Sequence, residues 1–236
     1  MGTSNLDDLK MEAFEINMGI VRERLVVLTW GNASSIDQSK GIFAIKPSGV
    51  SYSVLKWQDM VLVDLDGNVI DSKLKPSSDT LTHIEIYKAF NIVGGIVHTH
   101  SPWATIWAQA GKSVPVIGTT HSDHFNGDIP CLPYLGKDKV ISGYEKETGL
   151  QIVEFFLKNK INPIHMPSCL LSGHASFAWG ENAHKAFENA IALEACANMA
   201  YHSLQLSNNI EFPNYILEKY FSRKHGASAY YGQKLS

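Results

Sequence analysis

Only three cysteines, Cys131, Cys169 and Cys196, occur in this 236-residue chain, an odd number spread too widely for a disulfide framework or the CxxC pairs of a zinc ribbon. They read as reduced, buried thiols. An excess of basic charge is also missing: 20 Lys and Arg against 23 Asp and Glu leave a net charge of −3, with no basic run to track a phosphate backbone. Nucleic acid is therefore not an expected partner. No uninterrupted apolar run is long enough to span a bilayer, and charged residues precede any apolar run between Met1 and Lys10. The sequence thus predicts no membrane partner and a soluble, cytoplasmic protein. The phosphate-cradling signatures GxGxxG and GxxxxGK[ST] are absent, which disfavours dinucleotide and P-loop sites.

What the chain does have is 44% apolar content, enough for one good core and short for two, so residues 1–236 are read as a single domain. Ser4-Asn5-Leu6-Asp7 reads as a capping box for a helix whose apolar positions are Leu6, Leu9, Ala13, Ile16 and Ile20. Leu25 to Thr29 reads as a strand broken by Trp30-Gly31-Asn32, and Ile42 to Ile45 as extended. Val61 to Leu65 and Val69-Ile70 read as a hairpin across Asp66-Gly67. Pro76-Ser77-Ser78 leads into a helix and Gly94 to Thr99 is a strand. Trp103–Ala110, Lys146–Lys158 and Ala183–Leu206 read as further helices, and Val114–Gly118 and Ser168–Leu171 as further strands. The pattern predicts a mixed α/β domain built in layers.

His98-Thr99-His100 ends the apolar strand Gly95-Ile96-Val97, and alternation along a strand sends both imidazoles to one face. His174 follows another short apolar run after Ser172-Gly173. Three imidazoles with an open position suit a catalytic zinc, to which Asp79 can add a carboxylate. The same spacing also fits a polar strand end and a hydrogen-bonded loop histidine. Three small-residue turns, Gly31-Asn32, Lys46-Pro47-Ser48-Gly49-Val50 and Pro76-Ser77-Ser78, can offer amides or hydroxyls to an anion, the last at a helix N-terminus. Taken singly, each also reads as an ordinary turn. In the polar run Thr119 to His124, Asp123 is the natural acid/base candidate or a solvated turn carboxylate. The tail from Arg223 to Gly232 is rich in aromatics and reads as a segment that docks.

Read together, Leu28-Thr29-Trp30-Gly31-Asn32, Ile45-Lys46-Pro47-Ser48-Gly49-Val50, Lys75 to Thr80, Gly94 to Ser101 and Thr105 to Gly111 resemble the L-ribulose-5-phosphate 4-epimerases of the class II aldolase/epimerase family. The likeness continues through Gly118-Thr119-Thr120-His121, Phe177 to Gly180 and Lys224-His225-Gly226-Ala227 to Ala229-Tyr230-Tyr231-Gly232-Gln233. It implies a three-layer α/β/α fold around a mainly antiparallel sheet. It also implies a homotetramer with active sites at subunit interfaces, and a sugar-phosphate substrate in pentose catabolism of the arabinose kind. Asp79, His98, His100 and His174 match the family's Zn2+ ligands, one ion per subunit. Gly31, Asn32, Ser48, Gly49, Ser77 and Ser78 match its substrate and phosphate positions. Asp123 matches one acid/base, and Tyr231 matches the other, which the family supplies from a neighbouring subunit. The implied reaction interconverts L-ribulose 5-phosphate and D-xylulose 5-phosphate by cleaving and re-forming C3–C4. The alternative is the sister aldolase of the fuculose-phosphate type, which releases its fragments and carries Glu where this chain has Asp79. One departure from the family's pattern is Tyr220, standing where relatives carry His.

Overall fold

Period-two alternation in short strands divides the interior into two cores, one on each face of a single sheet. The computed structural model describes residues 5–225 and 229–230. Its strands are β1 (Gly31–Asp37), β2 (Ile42–Ile45), β3 (Val61–Asp64), β4 (Gly95–Thr99), β5 (Cys131–Leu132), β6 (Ser168–Leu171) and β7 (Ser176–Gly180). They line up as β3-β2-β1-β4-β7-β6-β5, and of these pairings only β5 with β6 is parallel. Ala33, Ala44, Leu62, Val97 and Ala178 turn to one face, where α1 (Leu6–Arg22) and the first turns of α6 (Ala183–Leu206) cover them. Phe43, Val63, Ile96, Phe177 and Trp179 turn to the other. There they meet Ile84, Ile86 and Tyr87 of α2 (Thr80–Ala89) and Ile152 and Phe156 of α5 (Lys137–Lys158). The result is the mainly antiparallel, three-layer α/β/α arrangement that the family resemblance implies. The remaining helices are α3 (Pro102–Gln109), α4 (Thr119–Ser122) and α7 (Asn214–Lys224). Among the described residues, no helix is long and apolar enough to cross a membrane.

Several elements differ from the sequence reading, each for a local reason. Leu25–Thr29 is not a strand: Leu25 is buried, but Val27 and Leu28 are 48% and 72% exposed, and Leu28 adopts a left-handed φ of 55°. The strand that fills that place between β2 and β4 is β1, whose GNASSID sequence has almost no strand signature. Helices cover both of its faces, so small side chains are needed there. Ser34 Oγ lies 2.7 Å from both His83 Nδ1 and Tyr87 Oη of α2, and Ser35 donates to Glu12 of α1 at 2.6 Å. Val114–Gly118 forms only an isolated bridge, Val114 to Ile129. α5 begins at Lys137 rather than Lys146, with non-helical geometry at Gly143. The cap of α1 falls on Asn5, paired with Asp8 rather than starting at Ser4, which lies outside the described residues.

Candidate active site

His98 is the fourth residue of β4 and faces the core shared with α2 and α5, paired across the sheet with Asn32 on one side and Phe177 on the other. Its ring stacks on Phe177 at 4.2 Å between centroids and 19° between planes, and it is only 2% exposed. Nδ1 donates to the Ser176 carbonyl at 2.9 Å, which leaves Nε2 as the nitrogen with a free lone pair. His100, two residues on, shares that face, and His174 arrives from the turn between β6 and β7. The three rings sit 5.0–5.2 Å apart, and one nitrogen from each lies within 4.8 Å of the other two.

Asp79, at the N-cap of α2, brings its Oδ2 to 3.9 Å from His98 Nε2 and accepts from Asn32 Nδ2 at 2.8 Å. Burial pushes its carboxyl pKa up, but the His98 and His83 imidazoles and the Asn32 amide more than offset this, so the carboxyl stays below its usual range. His100 and His174 are each lowered to about 4, chiefly by burial and then by the neighbouring imidazoles. Near neutral pH His100 and His174 therefore offer neutral nitrogens, and with His98 and the Asp79 carboxylate they form a donor set that suits zinc or another borderline divalent cation. Asn32 Oδ1 is buried with no hydrogen-bond partner among the described residues, a polar atom left to meet a ligand.

The same cavity, of about 280 Å3, contains the three small-residue turns. Ser48 N donates to Lys75 O at 2.9 Å and Ser77 N to Lys46 O at 3.0 Å, so the second and third turns are stitched together. Those two amides are thereby used. Among the donors that line the pocket are the hydroxyls of Ser48, Ser77 and Ser78 and the ammonium of Lys46. Gly31 and Gly49 line it as well. Gly49 has a φ of 70°, and Gly31, at a φ of 127°, sits where a Cβ would lie 2.8 Å from the His98 carbonyl oxygen. Lys46 is absent from the site residues singled out in the sequence, although it belongs to one of the quoted turns. It is 2% exposed, with Nζ 4.7 Å from the Tyr52 ring centroid, and burial lowers its pKa. Trp30 also lines the pocket while remaining 52% exposed.

Asp123 does not line this cavity. It caps α4 and is held by α7: Arg223 donates from Nε at 2.9 Å and Nη2 at 2.6 Å, and Lys224 Nζ is 3.5 Å away. His225 Nε2 donates to its carbonyl at 3.0 Å. Tyr220 packs under this pair, with the Arg223 guanidinium 4.2 Å from its ring centroid. Tyr231 lies outside the described residues. A second, more apolar cavity is lined by Ile92, Pro163, Ile164 and Trp179, with His124, Lys185 and His225 at its edge.

Comparison with known proteins bears on this geometry. The model of the family described as Class II Aldolase and Adducin N-terminal domain matches residues 12–201. Proteins of Salmonella paratyphi A and Salmonella typhi named L-ribulose-5-phosphate 4-epimerase UlaF are each 45% identical over 230 residues. That match covers 97% of this chain and 100% of each relative. Among solved structures, an L-fuculose 1-phosphate aldolase superposes with a TM-score of 0.77 at 23% identity, covering 94% of this chain and 97% of its own. The L-fuculose 1-phosphate aldolase of Glaciozyma antarctica PI12 also reaches 0.77, at 16% identity, covering 97% of this chain and 88% of its own. At those identities the two structures are evidence for the fold alone.

Proposed function

Because the chain belongs to the class II aldolase family, we propose that its polar cavity is the active site of an L-ribulose-5-phosphate 4-epimerase, an isomerase. The observation that carries the reading is the joining of two half-sites in one cavity. Three imidazoles and a carboxylate stand on one side, and a lysine with serine hydroxyls on the other. The names of relatives 45% identical along the whole chain support the substrate, and Asp79 in place of the aldolase's Glu favours the epimerase over its sister.

In this reading His98, His100, His174 and Asp79 hold one divalent cation, zinc by its donor set, which when bound withdraws charge from the substrate's ketone. Lys46, Ser48, Ser77 and Ser78 bind the phosphate, with Gly31 and Gly49 letting backbone approach it closely. Direct inversion at C4 is unfavourable because the C4 hydrogen is not acidic. A base instead removes the proton of the C4 hydroxyl, the C3–C4 bond breaks, and its electron pair is delocalised from C3 into the adjacent carbonyl. The aldehyde fragment rotates, C3 attacks its opposite face, and an acid returns a proton to the C4 oxygen.

Asp123 and Tyr231 are the acid/base pair of this proposal. Asp123 stands apart from its own chain's cavity beside the helix that leads into the tail. A neighbouring subunit of a homotetramer would deliver both groups. Val27, Leu28 and Trp30, exposed beside the cavity, are surface of the kind such a neighbour covers. The function is tested by incubating the metal-loaded protein with L-ribulose 5-phosphate. D-xylulose 5-phosphate is the expected product, and a protein that leaves the substrate unchanged is not this epimerase.

A further inference from the structure

An imidazole that binds a cation through one nitrogen holds its orientation only if the other nitrogen is engaged. For His98 that partner is the backbone carbonyl of Ser176, which no side-chain substitution removes. For His174 it is a side chain from another layer: Tyr144 Oη lies 3.2 Å from His174 Nδ1. Tyr144 follows the break at Gly143 in α5, where helical geometry is interrupted. The turn after the break is anchored twice. Thr148 Oγ1 donates to the Tyr144 carbonyl at 2.7 Å, and Thr82 Oγ1 of α2 donates to the Glu145 carbonyl at 2.6 Å. Gly149 allows this close approach, since a Cβ there would lie 2.9 Å from the Thr82 carbonyl oxygen. The phenol that meets His174 is thus fixed against the same helix that begins at Asp79.

We infer that Tyr144 is a positioning residue for the metal centre: its phenol oxygen accepts from the Nδ1–H of His174 and fixes the tautomer and ring rotation that present Nε2 to the cation. The inference rests on reading His98, His100 and His174 as metal ligands. It adds that the third of them, which comes from a turn rather than a strand, is held by α5. With Nδ1 engaged, Nε2 is the coordinating nitrogen of His174.

The test is competition for Zn2+ between a chromophoric chelator and four proteins: wild type, Tyr144→Phe, His174→Asn and the double variant. Tyr144→Phe keeps the ring and removes only the oxygen. It should weaken Zn2+ binding roughly 10–100-fold, the usual cost of losing such a partner, while leaving the melting temperature of the metal-free protein unchanged. In the His174→Asn background, removing the hydroxyl should cost nothing further, because the group it orients is gone. Wild-type affinity in Tyr144→Phe overturns the inference, and so does an undiminished loss in the His174→Asn background. A loss matched by lower stability of the metal-free protein assigns Tyr144 to packing instead. If the wild-type protein itself fails to compete for Zn2+, the metal-ligand reading falls first, and the two failures are distinguishable.

Discussion

A histidine cluster becomes a metal centre only when each ring is held neutral, aimed and close to its neighbours. Burial keeps His100 and His174 neutral above about pH 4, the sheet aims His98 through Phe177 and Ser176, and Asp79 supplies compensating charge. Replacing His100 by Asn removes one donor and should weaken Zn2+ binding by more than the roughly 10–100-fold expected for an outer partner, with little change in metal-free stability. Isothermal titration would measure this, and unchanged affinity would remove His100 from the ligand set. Much of this scale was legible in the sequence. His98 and His100 had to share a face because a strand alternates, and Asp79 and the serines lay in turns with anion-binding chemistry. Tyr144 was not legible, since nothing local to it announces a contact with a histidine 30 residues away. Asp123 was legible as an acid/base candidate, a role still to be tested, but its bidentate pairing with Arg223 depends on how α7 packs against α4.

At the scale of elements, the sequence reading succeeded where apolar periodicity was strong and failed where packing demanded small residues. α6 was predicted with its observed bounds and β6 likewise. β1 was missed because a strand covered on both faces needs Ala33, Ser34 and Ser35 rather than β-branched residues. The aliphatic Leu25–Thr29 segment lends an exposed turn to the cavity mouth instead of a strand to the sheet. Buried polar contacts between elements carry their own consequence. His83 of α2 sits beneath β1 against Ser34, and His121 of α4 donates from Nε2 to the Gly127 carbonyl at 2.8 Å. Burial lowers them to about 3 and about 4 respectively. In the unfolded chain both titrate near about 6.5, so between these values the unfolded state binds protons that the folded state does not. Their contribution to stability is complete above about pH 6.5 and is lost as the pH falls toward about 4. Urea midpoints of the metal-free protein should decline through that window. A flat profile down to about pH 4.5 would show that these histidines protonate without cost to the fold.

For the whole molecule, the separation of Asp123 from the histidine cavity sets what the proposed acid/base role requires. If the proton carriers cross a subunit boundary, Asp123→Asn and Tyr231→Phe should each lower turnover by about 10²–10⁴-fold while leaving metal content intact. Inactive His98→Asn subunits mixed with inactive Tyr231→Phe subunits should then regain part of the activity. Verified subunit exchange without any recovery would show that Tyr231 either works within its own chain or only supports the fold. The layered α/β character was within reach of the sequence's periodicity and the three-layer, mainly antiparallel arrangement came with the family resemblance, whereas a site shared between copies, as proposed, would leave no signature in one chain's spacing. The central claim is that this cavity breaks and re-forms one carbon–carbon bond without releasing its fragments. It is tested most directly by following L-ribulose 5-phosphate by NMR in the presence of an aldehyde trap. The account predicts conversion to D-xylulose 5-phosphate with little trapped glycolaldehyde phosphate, and stoichiometric aldehyde release at the rate of turnover would contradict it.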